Sequence, residues 1–144
     1  MIPAAFKYVK ASSVAEALVL MQQHGEDAKL IAGGHSLLPA MKLRLSQPSV
    51  LIDIAGMADL KGIANKGNQL VIGAGETYHS IATSSVVKQA CGVIATTCGD
   101  IGDIQVRNAG TIGGSLAHAD PAADLTAVFV ALGGTITVQS ASGS

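Results

Sequence analysis

The sequence predicts a mixed α/β (α+β) fold, and three observations carry that expectation. Its opening residues pattern as strand, helix, strand and glycine turn, its apolar content is aliphatic, and β-patterned stretches recur between helical ones. Of the 144 residues, 49% are hydrophobic but only 3% are aromatic and 13% charged. The core is therefore built from Ala, Val, Ile and Leu, a composition suited to helices packed on a buried sheet. A chain of this length forms one ordinary domain whose core needs no disulfide or metal staple.

Each element follows from a local signal. Phe6-Lys7-Tyr8-Val9 alternates apolar and polar residues as a short strand does. Ser12-Ser13 followed by Glu16 signals a helix start, and an apolar stripe of Val14, Ala15, Leu18, Val19 and Met21 runs on to Gly25, a natural C-terminal stop. Lys29-Leu30-Ile31-Ala32 is expected as a buried strand ending at Gly33-Gly34. This βαβ-like opening puts the glycine pair at the carboxyl end of a strand, where ligands of α/β folds usually sit. From Leu37 to Leu45 apolar residues alternate with Lys42 and Arg44, Pro48 interrupts, and Val50-Leu51-Ile52-Asp53-Ile54 is another buried strand. A first lobe, about 1–56, closes near Gly56.

The second lobe, about 57–144, opens with a hairpin in which Asn65-Lys66-Gly67-Asn68 turns between Gly62-Ile63-Ala64 and Gln69-Leu70-Val71-Ile72. Thr77 caps a helix through about Ala82, and Val86 to Cys98 is expected as one further helix. Ala122 to Leu132 is another, with Asp120-Pro121 as cap and first turn, and Thr135-Ile136-Thr137-Val138 is a last strand. There is no repeat and no linker long enough to separate independent domains.

Several function classes are disfavoured. A net charge of -1 without a Lys/Arg-rich run argues against nucleic acid, whose phosphates need concentrated positive charge. Neither a basic segment followed by an apolar run nor a membrane-length apolar stretch is present, so a cytoplasmic location and no transmembrane segment are expected. Cys91 and Cys98, seven apart in a helical pattern, lie about two turns from each other and are expected as buried free thiols. No metal is expected, since there is no C-x-x-C pair, and His118 beside Asp120 and Asp124 fits a surface loop before a helix. His24 and His79 fit exposed helix ends, and no nucleophile elbow marks a catalytic Ser/His/Asp set.

Two glycine clusters remain. In Ala32-Gly33-Gly34-His35-Ser36-Leu37-Leu38-Pro39, consecutive glycines after a strand leave successive N–H groups pointing one way, a concavity suited to a phosphate oxygen. In Asn108-Ala109-Gly110-Thr111-Ile112-Gly113-Gly114-Ser115, glycines are again flanked by hydroxyl residues. A Gly-Gly pair also serves as a plain turn. Together, however, two such loops could clamp the two phosphates of a pyrophosphate. Neither matches the G-x-x-x-x-G-K-[ST] loop or a G-x-G-x-x-G fingerprint.

Lys29 to Lys42, then Ile72-Gly73-Ala74-Gly75, Gln105-Val106-Arg107-Asn108, Thr111-Ile112-Gly113-Gly114-Ser115, and Asp120-Pro121 with Asp124 occur in one order. In that order they resemble the FAD-binding medium subunit of molybdenum hydroxylases, the carbon monoxide dehydrogenase and xanthine dehydrogenase family. The resemblance covers essentially the whole chain. It implies a p-cresol methylhydroxylase-type fold, two small α/β lobes with the flavin between them, here without the C-terminal part of the family's longer subunits. It implies FAD as cofactor, and an electron relay from a 2Fe-2S small subunit, which drains a molybdopterin large subunit, to an external acceptor. By the same resemblance, Ala32, Gly33, Gly34, His35, Ser36 and Leu37 wrap the pyrophosphate, and Thr111, Gly113, Gly114 and Ser115 bind it from the other side. Asp124 meets cofactor hydroxyls, Ile101 gives an apolar contact to the flavin, and Lys29 lies near the ring. The chain departs from the family pattern at Asp103-Ile104, where Asp-Pro is common, and at Ala109, where a larger or basic residue is common. Alternatives are a self-contained oxidase carrying covalent FAD on His35, and a truncated, non-catalytic binding module.

Overall fold

Three parallel strands and two helices build the first of two units in the computed structural model, which describes residues 1–143. This unit comprises Met1–Asp59 and the segment from Ile136 onward. Strands β1 (Lys7–Lys10) and β2 (Ala28–Ile31) both pair with β3 (Val50–Asp53), giving the sheet order β1-β3-β2. The register sets Val50 opposite both Lys7 and Ala28.

Local chemistry explains the connection from β1 to β2. The Ser13 hydroxyl accepts the Glu16 amide at 3.2 Å to open α1 (Val14–His24), and the Glu16 carboxylate reaches back to the Ser12 amide at 2.8 Å. Gly25, at φ +54, closes the helix by donating its amide to the Met21 carbonyl. Leu51 and Ile52 of central β3 are 1% and 0% exposed. β2, by contrast, is not the buried strand expected: Ala28 is buried, but Lys29 and Leu30 are exposed, because β2 lies at a sheet edge. Beyond it, α2 (Leu37–Lys42) forms where periodicity shows only alternation. Pro39 falls in its first turn, where the missing N–H has no helical acceptor to lose.

The second unit, Leu60–Thr135, starts with the antiparallel hairpin β4 (Ile63–Lys66) and β5 (Gln69–Ile72), turning at Gly67 with φ +64. Helices α3 (Tyr78–Thr83), α4 (Ser85–Ala90), α5 (Gly92–Asp100), α6 (Ile104–Ala109), α7 (Ile112–His118) and α8 (Asp124–Ala131) follow. Side chains of Thr77, Ser84, Asp103 and Thr111 cap α3, α4, α6 and α7 in turn. Tyr78, Ile81, Val87, Ala95, Cys98, Ile112 and Leu125 form one buried cluster.

Three expectations for the chain after Leu60 are corrected. Val86 to Cys98 is two helices rather than one, because Cys91 adopts a non-helical backbone, φ −156 and ψ 79, ahead of helix-weak Gly92. Cys91 is consequently a half-buried cap residue, while Cys98 is wholly buried, and burial pushes its thiol up to about 12. Both thiols are free. α8 begins at Asp124 rather than Ala122: the Asp120 carboxylate accepts the Ala122 amide at 2.9 Å, which holds Asp120-Pro121-Ala122 as a separate turn. Thr135 to Val138 pairs with no strand among the described residues, and Ile136 and Val138 are 57% and 72% exposed. Alternating pattern alone cannot make a strand without a ladder partner. No helix among the described residues is long and apolar enough to cross a membrane.

Candidate functional site

The first glycine cluster leaves β2 as a bend at Ala32 and Gly33, passes through Gly34 at φ +75, and turns at His35-Ser36 into α2. The Gly34 carbonyl accepts the Leu38 amide at 2.9 Å, and the Ser36 carbonyl accepts that of Ala40 at 3.2 Å, so these two carbonyls are engaged at the start of α2. The amides are not: among the described residues nothing accepts from Gly33, Gly34, His35, Ser36 or Leu37. His35 and Ser36 are exposed, and a Cβ at Gly34 would meet the Leu38 side chain at 3.0 Å in a backbone conformation that L residues rarely adopt. Lys29 stands on the exposed part of β2.

The second cluster has the opposite arrangement. Ile112 donates to the Glu76 carbonyl at 3.0 Å and Gly113 to the Ala74 carbonyl at 2.9 Å. Gly114 donates to Thr111 Oγ1 at 3.1 Å and Ser115 to the Thr111 carbonyl at 3.0 Å. Its glycines serve close approach: a Cβ on Gly113 would lie 2.6 Å from the Ala74 carbonyl oxygen, and one on Gly110 would lie 2.5 Å from the Tyr78 ring. What this loop leaves unengaged is the bare face of Gly114, which is exposed, and the hydroxyl of half-buried Ser115, which has no partner among the described residues. Thr111 is 5% exposed, held by its capping role and by a bridge to Thr77.

Ile101 ends α5 and packs, partly buried, against the core cluster. Asp124 is the exposed first residue of α8 and lines a cleft of about 340 Å³ with Thr97, Asp100, Ala127 and Val128. Within this unit the structure thus gathers Thr111, Gly113, Gly114 and Ser115 on one helix start, with Ile101 and Asp124 on other elements.

Two residues to which sequence patterns assign no role organise turns in this unit. Arg107 Nη1 donates to the carbonyls of Ile101 at 3.2 Å and Gly102 at 3.0 Å, closing the turn between α5 and α6. Glu76 Oε1 accepts the Gly62 amide at 2.7 Å, and Oε2 accepts the Ser80 hydroxyl at 2.6 Å. The Ser80 hydroxyl, the Gly62 amide and the nearby Lys61 ammonium together hold the Glu76 carboxyl below its ordinary range. Lys61 itself donates to the Gly75 carbonyl. The only local hint of this is the four-residue spacing from Glu76 to Ser80.

A run of unengaged amides on a glycine turn, at the carboxyl end of a parallel strand, defines a class: a mixed α/β protein fitted to hold a phosphate-bearing cofactor. The chain belongs to the family described as the FAD binding domain in molybdopterin dehydrogenase, which matches residues 4–144. FAD is that family's cofactor, and the unengaged amides beside Cβ-free Gly34 fit its diphosphate.

The carbon monoxide dehydrogenase medium chain of Hydrogenophaga pseudoflava is 44% identical over 143 residues, which are 99% of this chain and 50% of that one. The glyceraldehyde dehydrogenase medium chain of Sulfolobus acidocaldarius is 41% identical over 144 residues, 100% of this chain and 51% of that one. Among solved structures, a cyanide-inactivated Cu,Mo-CO dehydrogenase superposes with a TM-score of 0.89 at 43% identity, covering 92% of this chain and 46% of that one. These agreements bear out the mixed α/β, p-cresol methylhydroxylase-type fold. The chain spans about half the length of the curated relatives it matches.

Proposed function

We propose that this chain holds FAD within the electron-transfer subunit of a cytoplasmic, carbon monoxide dehydrogenase-type molybdenum hydroxylase. In this reading electrons arrive from a 2Fe-2S small subunit, which drains a molybdopterin large subunit, and leave to an external acceptor. The observation that carries it is the run of unengaged amides from Gly33 to Leu37, in a chain of an FAD-binding family. When bound, FAD supplies the redox chemistry, and the protein binds, orients and tunes it.

The residues divide that work. The amides of Gly33 to Leu37 donate to diphosphate oxygens, and the exposed His35 and Ser36 side chains add donors from the same turn. In the second unit, the Ser115 hydroxyl and the bare face of Gly114 are the second loop's contacts to the cofactor. Asp124 accepts from cofactor hydroxyls, Ile101 shields the ring from water, and Lys29 lies toward the ring.

Titrating the chain with FAD and following flavin fluorescence tests this. Saturable binding is expected, and Gly34→Ala weakens it by roughly tenfold, the size of a side chain forced into the left-handed region. A wild-type chain that leaves FAD unbound, or a Gly34→Ala chain that binds it unchanged, overturns the reading. Acid precipitation separates it from covalent attachment at His35: non-covalent FAD stays yellow in the supernatant.

A further inference from the structure

Glu76 follows the Gly73-Ala74-Gly75 turn at the end of β5, and every polar group it owns is committed. Its two carboxylate oxygens take the Gly62 amide at 2.7 Å and the Ser80 hydroxyl at 2.6 Å. Its amide donates to the Gly73 carbonyl at 3.0 Å, and its carbonyl accepts the Ile112 amide at 3.0 Å. One residue along that seam, the Ala74 carbonyl accepts the Gly113 amide at 2.9 Å. A single residue therefore ties the start of the hairpin, the first turn of α3 and the second glycine loop.

We propose that Glu76 is a positioning residue for the cofactor, its carboxylate fixing the Gly73-to-Thr77 turn between Gly62 and Ser80 so that the turn sets where Gly114 and Ser115 meet FAD. The inference rests on the reading of Gly114 and Ser115 as cofactor contacts. Chemistry favours a carboxylate here. Two donors converge from different segments, and one carboxylate accepts from both, with the Lys61 ammonium close enough to favour its charge. Gly62 is exposed, so water replaces a lost carboxylate at that amide and the fold loses little. What is lost is the register of the turn, and with it the seam to Ile112 and Gly113.

The test compares wild type, Glu76→Ala and Glu76→Gln in FAD affinity and in amide hydrogen exchange by NMR. Glu76→Ala is expected to weaken FAD binding by roughly tenfold, the worth of one charge-assisted hydrogen bond. It also speeds exchange at Ile112 and Gly113 while Ala95 and Cys98 in α5 keep wild-type protection. Glu76→Gln restores most of both, because its carbonyl still accepts from Gly62 and its amide donates to a rotated Ser80 hydroxyl. Unchanged affinity in Glu76→Ala, or exchange that rises uniformly through the unit, overturns the inference while leaving wild-type FAD binding intact. Failure of wild type to bind FAD instead overturns the functional reading, and this inference with it.

Discussion

Gly113 and Gly114 are neighbours in α7, yet alanine is expected to destabilise the protein at the first and leave it nearly unchanged at the second. In a helix, replacing glycine by alanine gains about 1 kcal/mol of propensity at either site. At Gly113 the new Cβ lies 2.6 Å from both the Cβ and the carbonyl oxygen of Ala74. Neither atom can swing away, so α7 must shift, at an overpacking cost of about 1–3 kcal/mol. The shift also breaks the 2.9 Å bond from the Gly113 amide to Ala74, worth about 1 kcal/mol more. After the propensity gain the net loss is about 1–3 kcal/mol. At Gly114 the Cβ meets only Thr111 Oγ1, at 2.8 Å, a side-chain atom that can rotate. Rotation forfeits the cap, about 1 kcal/mol, which the propensity gain offsets. Urea denaturation followed by far-ultraviolet circular dichroism reads the difference: Gly113→Ala unfolds well below wild type, and Gly114→Ala within about 0.5 kcal/mol of it. Equal midpoints for the two variants would refute the close-approach explanation of Gly113.

Three further outcomes are expected. Ala119, a non-glycine residue at φ +53 capping α7, carries left-handed strain, so Ala119→Gly raises stability by up to about 1 kcal/mol; a variant no more stable in urea contradicts this. Under native conditions a thiol reagent modifies half-buried Cys91 well before Cys98, whose thiol is fully buried and pushed up to about 12. Peptide mass spectrometry finding equal labelling rates would disprove that difference. Glu76 is held below its ordinary carboxyl value of 4.5, so its ionised form favours the folded state at pH above that value. That contribution disappears as pH falls through the lowered folded value. Denaturation midpoints of wild type and Glu76→Gln, compared from about pH 7 to about pH 3, converge toward the acid end, and a constant gap would show that the carboxylate is not the source.

Features encoded within a few residues were readable in the sequence. Ser13 before Glu16, Gly25 after the apolar stripe, the hairpin turning at Gly67 and the cap at Thr77 each depend on a bond or a φ angle set by immediate neighbours. The first glycine turn belongs to the same group, because strand β2, Gly33-Gly34 and Ser36 are consecutive. The order of its motifs also carried the family. Less legible was the second glycine loop. Its composition matches that of the first, but its amides at Ile112 and Gly113 are taken by carbonyls of Glu76 and Ala74, distant in sequence.

What the sequence by itself determined, then, is the local vocabulary of this protein: its caps, its turns and the amide-bearing loop after β2. Only the tertiary structure decided that β2 is an edge strand, that the helix breaks at Cys91, and that Thr135 to Val138 has no ladder partner among the described residues. It likewise decided that Glu76 reaches Gly62, 14 residues away. The physical reason is range. Propensity and capping act within one turn of chain, whereas burial, strand pairing and a carboxylate's choice of donors depend on whichever segments folding brings alongside.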